Sequence, residues 1–345
     1  MPFLRNAWYV AAWQDEVGDA LFVRTIIGEP VLLLRNGDGA VRAIGDRCPH
    51  RFAPLHLGKK IGDKVQCPYH GLEFSLEGKC VHNPHGEGVI PKAAQVKAYP
   101  IVERHRLIWI WMGDPARADP GAIPDFSFID DPHTPIISGT VYGKGHYELY
   151  TDNILDLGHA EFLHTGLAAA AFTKGDREIV QDGTTVWSNT YYDNDYPSPV
   201  MQFALGEMDT RFDYVGKVRW DPPATMYFES FWSDCEGSDK HARHLPTFHI
   251  FTPETETTSF YFWAAGRNFR TDDTELSTQL RAGVVHAFEA EDKVMIAAQH
   301  EMMGTNDLFS LDPILLPGDG GAVKARRLLA ELIDKETRES ENNGA

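Results

Sequence analysis

The alternation of apolar and polar positions divides the chain into three stretches of different character. Through residue 112 the dominant period is two. Residues 30–46 (PVLLLRNGDGAVRAIGD) hold two apolar runs around Asn36-Gly37-Asp38-Gly39, residue types that tolerate the positive φ of a tight hairpin. Further short strands are expected at 64–66, 71–74 and 107–112, and helical periodicity is scarce between 20 and 112. Residues 113–135 are crowded with proline and aspartate and read as a linker or an extended surface crossing. From 136 onward strands and helices mix. A helix is expected over 150–164, and 215–232 and 247–269, rich in Val, Phe, Tyr, Trp and Thr, read as strands. Asp272 and Asp273 suit the N-cap of a helix running to about 300, with Leu276, Leu280, Val284 and Phe288 on one stripe. A last helix is expected over 322–335, followed by a fraying polar tail. The pattern gives an α+β chain: a β-rich domain at 1–125 and a larger mixed domain at 126–345.

At 345 residues the chain is long enough for two cores without disulfide staples. The net charge of −18 speaks against general nucleic-acid binding and against docking on anionic lipid. No apolar run approaches the ~20 residues of a membrane span, and the N-terminal MPFLRNAWYVAAWQDEVGD lacks the basic start of a secretory signal. A cytoplasmic location is the expectation. Four cysteines in so long a chain make no disulfide framework, and in a reducing compartment clustered Cys and His point to metal. Cys80 and Cys235 have no His at useful spacing and read as small buried hydrophobes.

The strongest chemical signal is Cys48-Pro49-His50, then sixteen residues, then Cys67-Pro68-Tyr69-His70. Two sulfurs and two imidazoles suit tetrahedral zinc or a Rieske [2Fe–2S] cluster, with two Cys on one iron and two His on the other. The distribution favours the cluster. Zinc fingers usually pair Cys with Cys and His with His, whereas here each segment carries one of each and can touch both irons. Gly71 supplies a residue free to turn where the chain passes close to the cluster.

A second constellation lies at Asn153, Asp156, His159 and His164. The first three fall on one stripe of a helix, with Asp156 one turn before His159 and placed to accept a hydrogen bond from its imidazole. His159 and His164, five apart, would diverge by roughly 140° on an ideal helix, so both can bind one ion only if the helix ends or bulges near 158–162. With one carboxylate they would form the two-His facial triad of oxygen-activating Fe(II). Glu289, Glu291 and Asp292 are all candidates for it. His249, in the strand 247–251, would present a polar group into an apolar pocket and is the candidate substrate contact. Arg47, Arg51, Lys59, Lys60, Lys64 and Lys79 crowd the first motif, a local positive patch in an acidic chain.

Together, Cys-x-His-x16-Cys-x2-His and Asp-x2-His-x4-His resemble the Rieske non-haem iron oxygenases over nearly the whole chain. Residues 4–12 (LRNAWYVAA), 48–55 (CPHRFAPL), 66–74 (QCPYHGLEF), 81–85, 109–111 and 153–159 (NILDLGH) look like the vanillate and dicamba O-demethylase oxygenase components. The resemblance implies a β-rich Rieske domain followed by a catalytic domain whose antiparallel sheet is flanked by helices. It places Cys48 and Cys67 on one iron and His50 and His70 on the other. It makes His159, His164 and Asp292 the ligands of a mononuclear Fe(II), and Asp156 the carboxylate linking the two centres between subunits of a homotrimer. It implies O2 as co-substrate, electrons from NAD(P)H through a reductase or ferredoxin, and a small methoxylated aromatic acid, vanillate-like, losing formaldehyde. His249 precedes a segment, 250–256 (IFTPETE), that those O-demethylases share. Residues 165–185 and 282–285 depart from the dicamba enzyme and imply a pocket of different shape. Ring hydroxylation by the same class is the rival enzyme reading, and a Rieske electron carrier the rival outside enzymes. The ~210 residues beyond the first domain speak against a carrier.

Overall fold

The computed structural model describes residues 3–164, 172–234 and 238–343, so the expectation for Cys235 lies outside the described residues. The chain divides into two compact units, one at Phe3–Ile123 and one from Pro124 onward.

The first unit is built from three small antiparallel sheets. In one, Leu107–Trp111 lies between Trp8–Trp13 and Ile101–Arg104. Its sequence LIWIW is buried at every position, as a central strand covered on both faces requires. The second contains the expected hairpin: Glu29–Arg35 turns back into Val41–Gly45, with Gly39 at φ +82° and its N–H on the Asn36 carbonyl at 3.0 Å. The third, Lys59–Lys60, Lys64–Gln66, Glu73–Ser75 and Cys80–His82, carries the second Cys/His segment. Leu32, Leu34, Ile44, Leu55, Val65 and Phe74 form the core shared by the last two sheets, and Cys80 packs into it as expected. Within residues 113–135 the chain makes short 3-10 turns at Pro115–Arg117, Pro120–Ala122 and Ser127–Ile129. In the first two an Asp cap precedes proline, a pairing favoured because proline lacks the N–H that would otherwise need a partner.

The second unit centres on a seven-stranded antiparallel sheet in the order Ile137–Lys144, Thr258–Ala265, Ser238–Pro253, Thr225–Asp234, Phe212–Asp221, Thr185–Asp195, Asp176–Asp182. Residues 215–232 are two strands, not one. Pro222 and Pro223 cannot donate to a ladder, and the chain reverses there. Phe212–Asp221 buries alternate positions, with Phe212, Val218 and Trp220 at 1% exposure or less.

The expected 150–164 helix is interrupted. Tyr147–Leu155 is helical, Leu157–His159 is a 3-10 turn and Ala160–Leu163 is a separate helical turn. The later helix starts where expected, with the Asp273 carboxylate accepting from the Leu276 N–H at 2.9 Å. It runs through Thr274–His286, a π-helical stretch Ala287–Asp292, and Lys293–Met303. The last helix is longer than expected, Gly320–Asn343, and continues through the polar tail. No helix among the described residues is long and apolar enough to cross a membrane.

Arg326 ties this last helix to Tyr147–Leu155. Its guanidinium donates to Asp152 at 2.8 Å and to Glu148 at 2.9 Å, with all three side chains largely buried. Removing the cation would leave two carboxylates together in a desolvated site, where burial already pushes Glu148 up to about 7. Arg326→Ala is expected to cost about 3–5 kcal/mol, read as a lowered Tm in thermal unfolding.

Candidate metal centres

Two loops in the first unit close in the same way. The Cys48 N–H donates to Ala53 O at 2.9 Å and the Phe52 N–H returns to Cys48 O at 2.9 Å. The Cys67 N–H donates to Leu72 O at 2.8 Å and the Gly71 N–H returns to Cys67 O at 3.1 Å. Gly71 takes φ +74°, the left-handed turn expected of it. Each loop therefore sends its cysteine inward and its histidine outward. Cys48 and Cys67 are buried, with the two thiols in contact. His50 and His70 stand at the surface with ring centroids 4.5 Å apart. His85 meets the carbonyl of His70 through Nε2 at 2.8 Å.

The donor set fits a [2Fe–2S] cluster. Burial, with the adjacent Cys67, pushes the Cys48 thiol up to about 11. Two thiolates are tolerable there only beside strong positive charge, which metal supplies. Lost hydration, with His50, His85 and Arg51 nearby, holds His70 below its ordinary value, in the neutral form that ligates. Sulfur donors inside and nitrogen donors outside match the two-iron division better than a single tetrahedral ion. A groove of about 490 Å³ runs along the histidine edge. Phe52 and Tyr69 are exposed near these loops, with Arg47 stacked on Phe52 at 4.7 Å. Lys64, counted in the positive patch, is paired with Glu73.

In the second unit His159, His164 and Asp292 bring one ligand atom each to within 4.8 Å of one another. The helix break produces this. Asp156 leaves helical geometry, and its carboxylate caps the next turn by accepting from the Gly158 N–H at 3.0 Å. His159 Nδ1 then donates to the Asp156 backbone carbonyl at 2.6 Å, which leaves Nε2 as the ligating nitrogen. His164 Nδ1 is held by Glu291 at 2.7 Å, and its Nε2 lies 3.2 Å from Asp292 Oδ1. Burial lowers the affinity of His164 for a proton, but Asp292 and Glu291 outweigh it and raise the value. Asn153 Nδ2 donates to Asp292 Oδ1 at 3.0 Å and lies 3.3 Å from His159 Nε2. Asp292 is buried, and its Oδ2 has no hydrogen-bond partner. A buried carboxylate with one oxygen beside two imidazole nitrogens and the other unpaired is what a divalent cation would satisfy.

The π-helical stretch separates the three acidic candidates. Its extra residue per turn sends Asp292 inward. Glu291 goes behind His164, and Glu289 pairs with Lys293 at 2.7 Å. On the same helix Leu280, Val284 and Phe288 line a cavity of about 200 Å³, opposite Thr247, His249 and Trp263. Phe288 sits one turn before Asp292, and His249 lies within electrostatic reach of that carboxylate.

Comparison with known proteins agrees with both centres. Residues 7–100 match the Rieske [2Fe-2S] domain, and residues 144–335 match the vanillate O-demethylase oxygenase C-terminal domain. The chain belongs to the Rieske non-haem iron oxygenases. The oxygenase component of chloroacetanilide N-alkylformylase from Rhizorhabdus wittichii is 41% identical over 97% of each chain. The oxygenase component of dicamba O-demethylase from Stenotrophomonas maltophilia is 40% identical over 96% of this chain and 98% of its own. The crystal structure of dicamba monooxygenase bound to 3,6-dichlorosalicylic acid superposes with a TM-score of 0.91 at 39% identity, covering 97% of this chain and 99% of that one.

Two residues of this oxygenase behave differently from expectation. The imidazole of His159 is held by the backbone carbonyl of Asp156, while the Asp156 carboxylate caps a turn and lies 3.7 Å from Arg177. The reason is the helix break, which removes the stripe that would have put that carboxylate over His159. His249 does line the cavity, but Thr247 Oγ1 lies 2.9 Å from its Nε2 and the Tyr261 hydroxyl 2.6 Å from its Nδ1. Burial drives His249 down to about 3, so it is a neutral, fully partnered imidazole. Glu291 was not singled out for its role behind His164; a carboxylate adjacent to a ligand in sequence is the signal that could have found it. Of 165–185, the first seven residues lie outside the described residues.

Cys67→Ser is expected to abolish the visible absorption and the electron paramagnetic resonance signal of a Rieske cluster, leaving one iron per subunit. Glu291→Gln should do the reverse. Loss of a carboxylate behind a ligating imidazole weakens metal binding about 10- to 100-fold, so mononuclear iron should be lost on dialysis while the cluster spectrum persists.

Proposed function

We propose that this oxygenase is a terminal component that takes electrons from NAD(P)H through a reductase or ferredoxin and removes an alkyl group from a small aromatic substrate. The observation that carries the reading is the triad of half-buried His159 with buried His164 and Asp292, together with an apolar cavity lined by the helix that carries Asp292. The two curated relatives support the reaction class, since their names describe removal of a group from nitrogen in one and from oxygen in the other. Cys48 and Cys67 would hold one iron of the cluster, His50 and His70 the other. When bound, the cluster supplies electrons singly and the mononuclear iron activates O2.

The chain's own residues do the rest. Asn153 and Glu291 fix the orientation of the ligands. Leu280, Val284, Phe288 and Trp263 exclude water and orient the arene. With a methoxyarene, O2, two electrons and two protons give the hydroxymethyl ether and water. The hemiacetal then collapses to a phenol and formaldehyde. Ring hydroxylation is the second reading, and a carrier would have no use for the triad. The chain would work in the cytoplasm, where NAD(P)H is at hand.

In the homotrimer that the resemblance implies, the partly exposed carboxylate of Asp156, at the edge of a groove of about 340 Å³, would link one subunit's triad to its neighbour's cluster. Asp156→Asn keeps the size and the turn cap but removes the charge. Turnover is expected to fall at least about a hundredfold, the scale of losing a charged group at a transfer step, with both metals retained. Near-normal turnover would remove Asp156 from the electron path. The reaction itself is tested with purified holoenzyme, a surrogate reductase, NADH and a panel of methoxyarenes. Formaldehyde is the expected product, and a hydroxylated ring with the methoxy group intact would favour the second reading.

A further inference from the structure

The cavity lined by the helix that carries Asp292 is walled mainly by apolar side chains. Leu280, Val284 and Phe288 form one wall and Ile137, Leu245 and Trp263 another. Its volume of about 200 Å³ exceeds the roughly 150 Å³ of an engineered cavity that holds benzene, so a small substituted ring fits. Among the described residues that line it, the side chains with N–H or O–H donors are Thr247, His249, Trp263 and Arg267. Thr247, His249 and most of Arg267 are engaged by the protein. The Thr247 hydroxyl donates to Phe228 O at 3.1 Å. His249 has a hydroxyl partner on each ring nitrogen.

Among the described lining residues Arg267 is the one cation, and it is turned to the protein. Nε donates to Phe269 O at 3.1 Å and Nη1 to Ser277 Oγ at 2.9 Å. Nη2 donates to Arg270 O at 3.1 Å and to Asp273 O at 2.8 Å. These contacts use four of the guanidinium's five N–H donors and hold together the loop that leads into the cavity-lining helix. Arg267 is 3% exposed, so it cannot swing to a ligand without releasing three backbone carbonyls.

We propose that the substrate of this oxygenase is a neutral arene, such as an aryl ether or an anilide, and not an aromatic carboxylate or sulfonate. The inference rests on the reading that this cavity is the substrate site, and it replaces the vanillate-like acid suggested by family resemblance. An ionised acid brought into this cavity would lose its hydration and find, among the described lining residues, no cation free to pair with it, a cost that selects against it. A neutral ring loses little and gains contact with the apolar walls.

The test is calorimetric binding to anaerobic holoenzyme with matched pairs: 4-methoxytoluene against 4-methoxybenzoate, and 2-methoxybenzamide against 2-methoxybenzoate. The neutral member should bind at least about tenfold tighter in each pair. Equal or tighter binding of the acids would overturn the proposal, as would failure of all four to bind. Val284→Arg puts a free guanidinium on the wall and should shift each ratio toward the acid by about tenfold or more. An unchanged ratio in a folded, metal-loaded variant would place binding elsewhere and also overturn it. A neutral preference without formaldehyde release would leave this inference standing and remove the dealkylation reading.

Discussion

Two histidines five residues apart on an unbroken helix face directions roughly 140° apart. A single ion between His159 and His164 therefore requires the backbone to change course between them. Asp156 makes that change and also makes it tolerable. Its own geometry ends the helix Tyr147–Leu155, its carboxylate pairs with the Gly158 N–H that the break would leave open, and its carbonyl receives Nδ1 of His159. One residue thus breaks the helix, caps the next turn and sets the tautomer of a ligand. The rest of the centre depends on this, because Asn153, still on the intact helix, can reach both Asp292 and His159 only if His159 has been turned back toward it.

The third ligand depends on a second irregularity of opposite kind. Where the first helix stops, the long helix widens at Ala287–Asp292. A π-helical turn carries one more residue than the chain's hydrophobic stripe anticipates, so the face that buries Leu276 and presents Leu280, Val284 and Phe288 to the cavity delivers Asp292 to the histidines. Both irregularities are held by tertiary contacts: Arg326 fixes the first helix from behind, and Glu291 joins the widened turn to His164.

These facts explain which parts of the molecule were legible in the sequence. The first motif was readable because its ligands sit within four residues of one another on each loop, and local turn geometry alone sends Cys in and His out. The requirement for a break near His159 was also readable, since ideal helix geometry forbade the alternative. Its location at Asp156, and with it the role of the Asp156 carbonyl, was not, because a period-3 stripe looks the same in an intact helix. Nor could the choice among Glu289, Glu291 and Asp292 be made from composition. It depends on a π turn meeting a histidine 127 residues earlier in the chain. The run 215–232 holds two strands for a simpler reason: Pro222-Pro223 breaks an otherwise continuous β-rich pattern.

Most of the described polar groups at the cavity are turned to the protein. Thr247, His249, Tyr261 and Arg267 are hydrogen-bonded to other protein groups, so they stiffen the walls without offering anything to a ligand. Asp292 Oδ2 is buried and left unpaired. An unpaired buried oxygen is costly, and a bound cation would satisfy it, so the group that is expensive to bury is also the one that would hold the metal. The described walls of the cavity thus offer chiefly shape and apolar contact, while at the triad a buried carboxylate oxygen is kept for a cation.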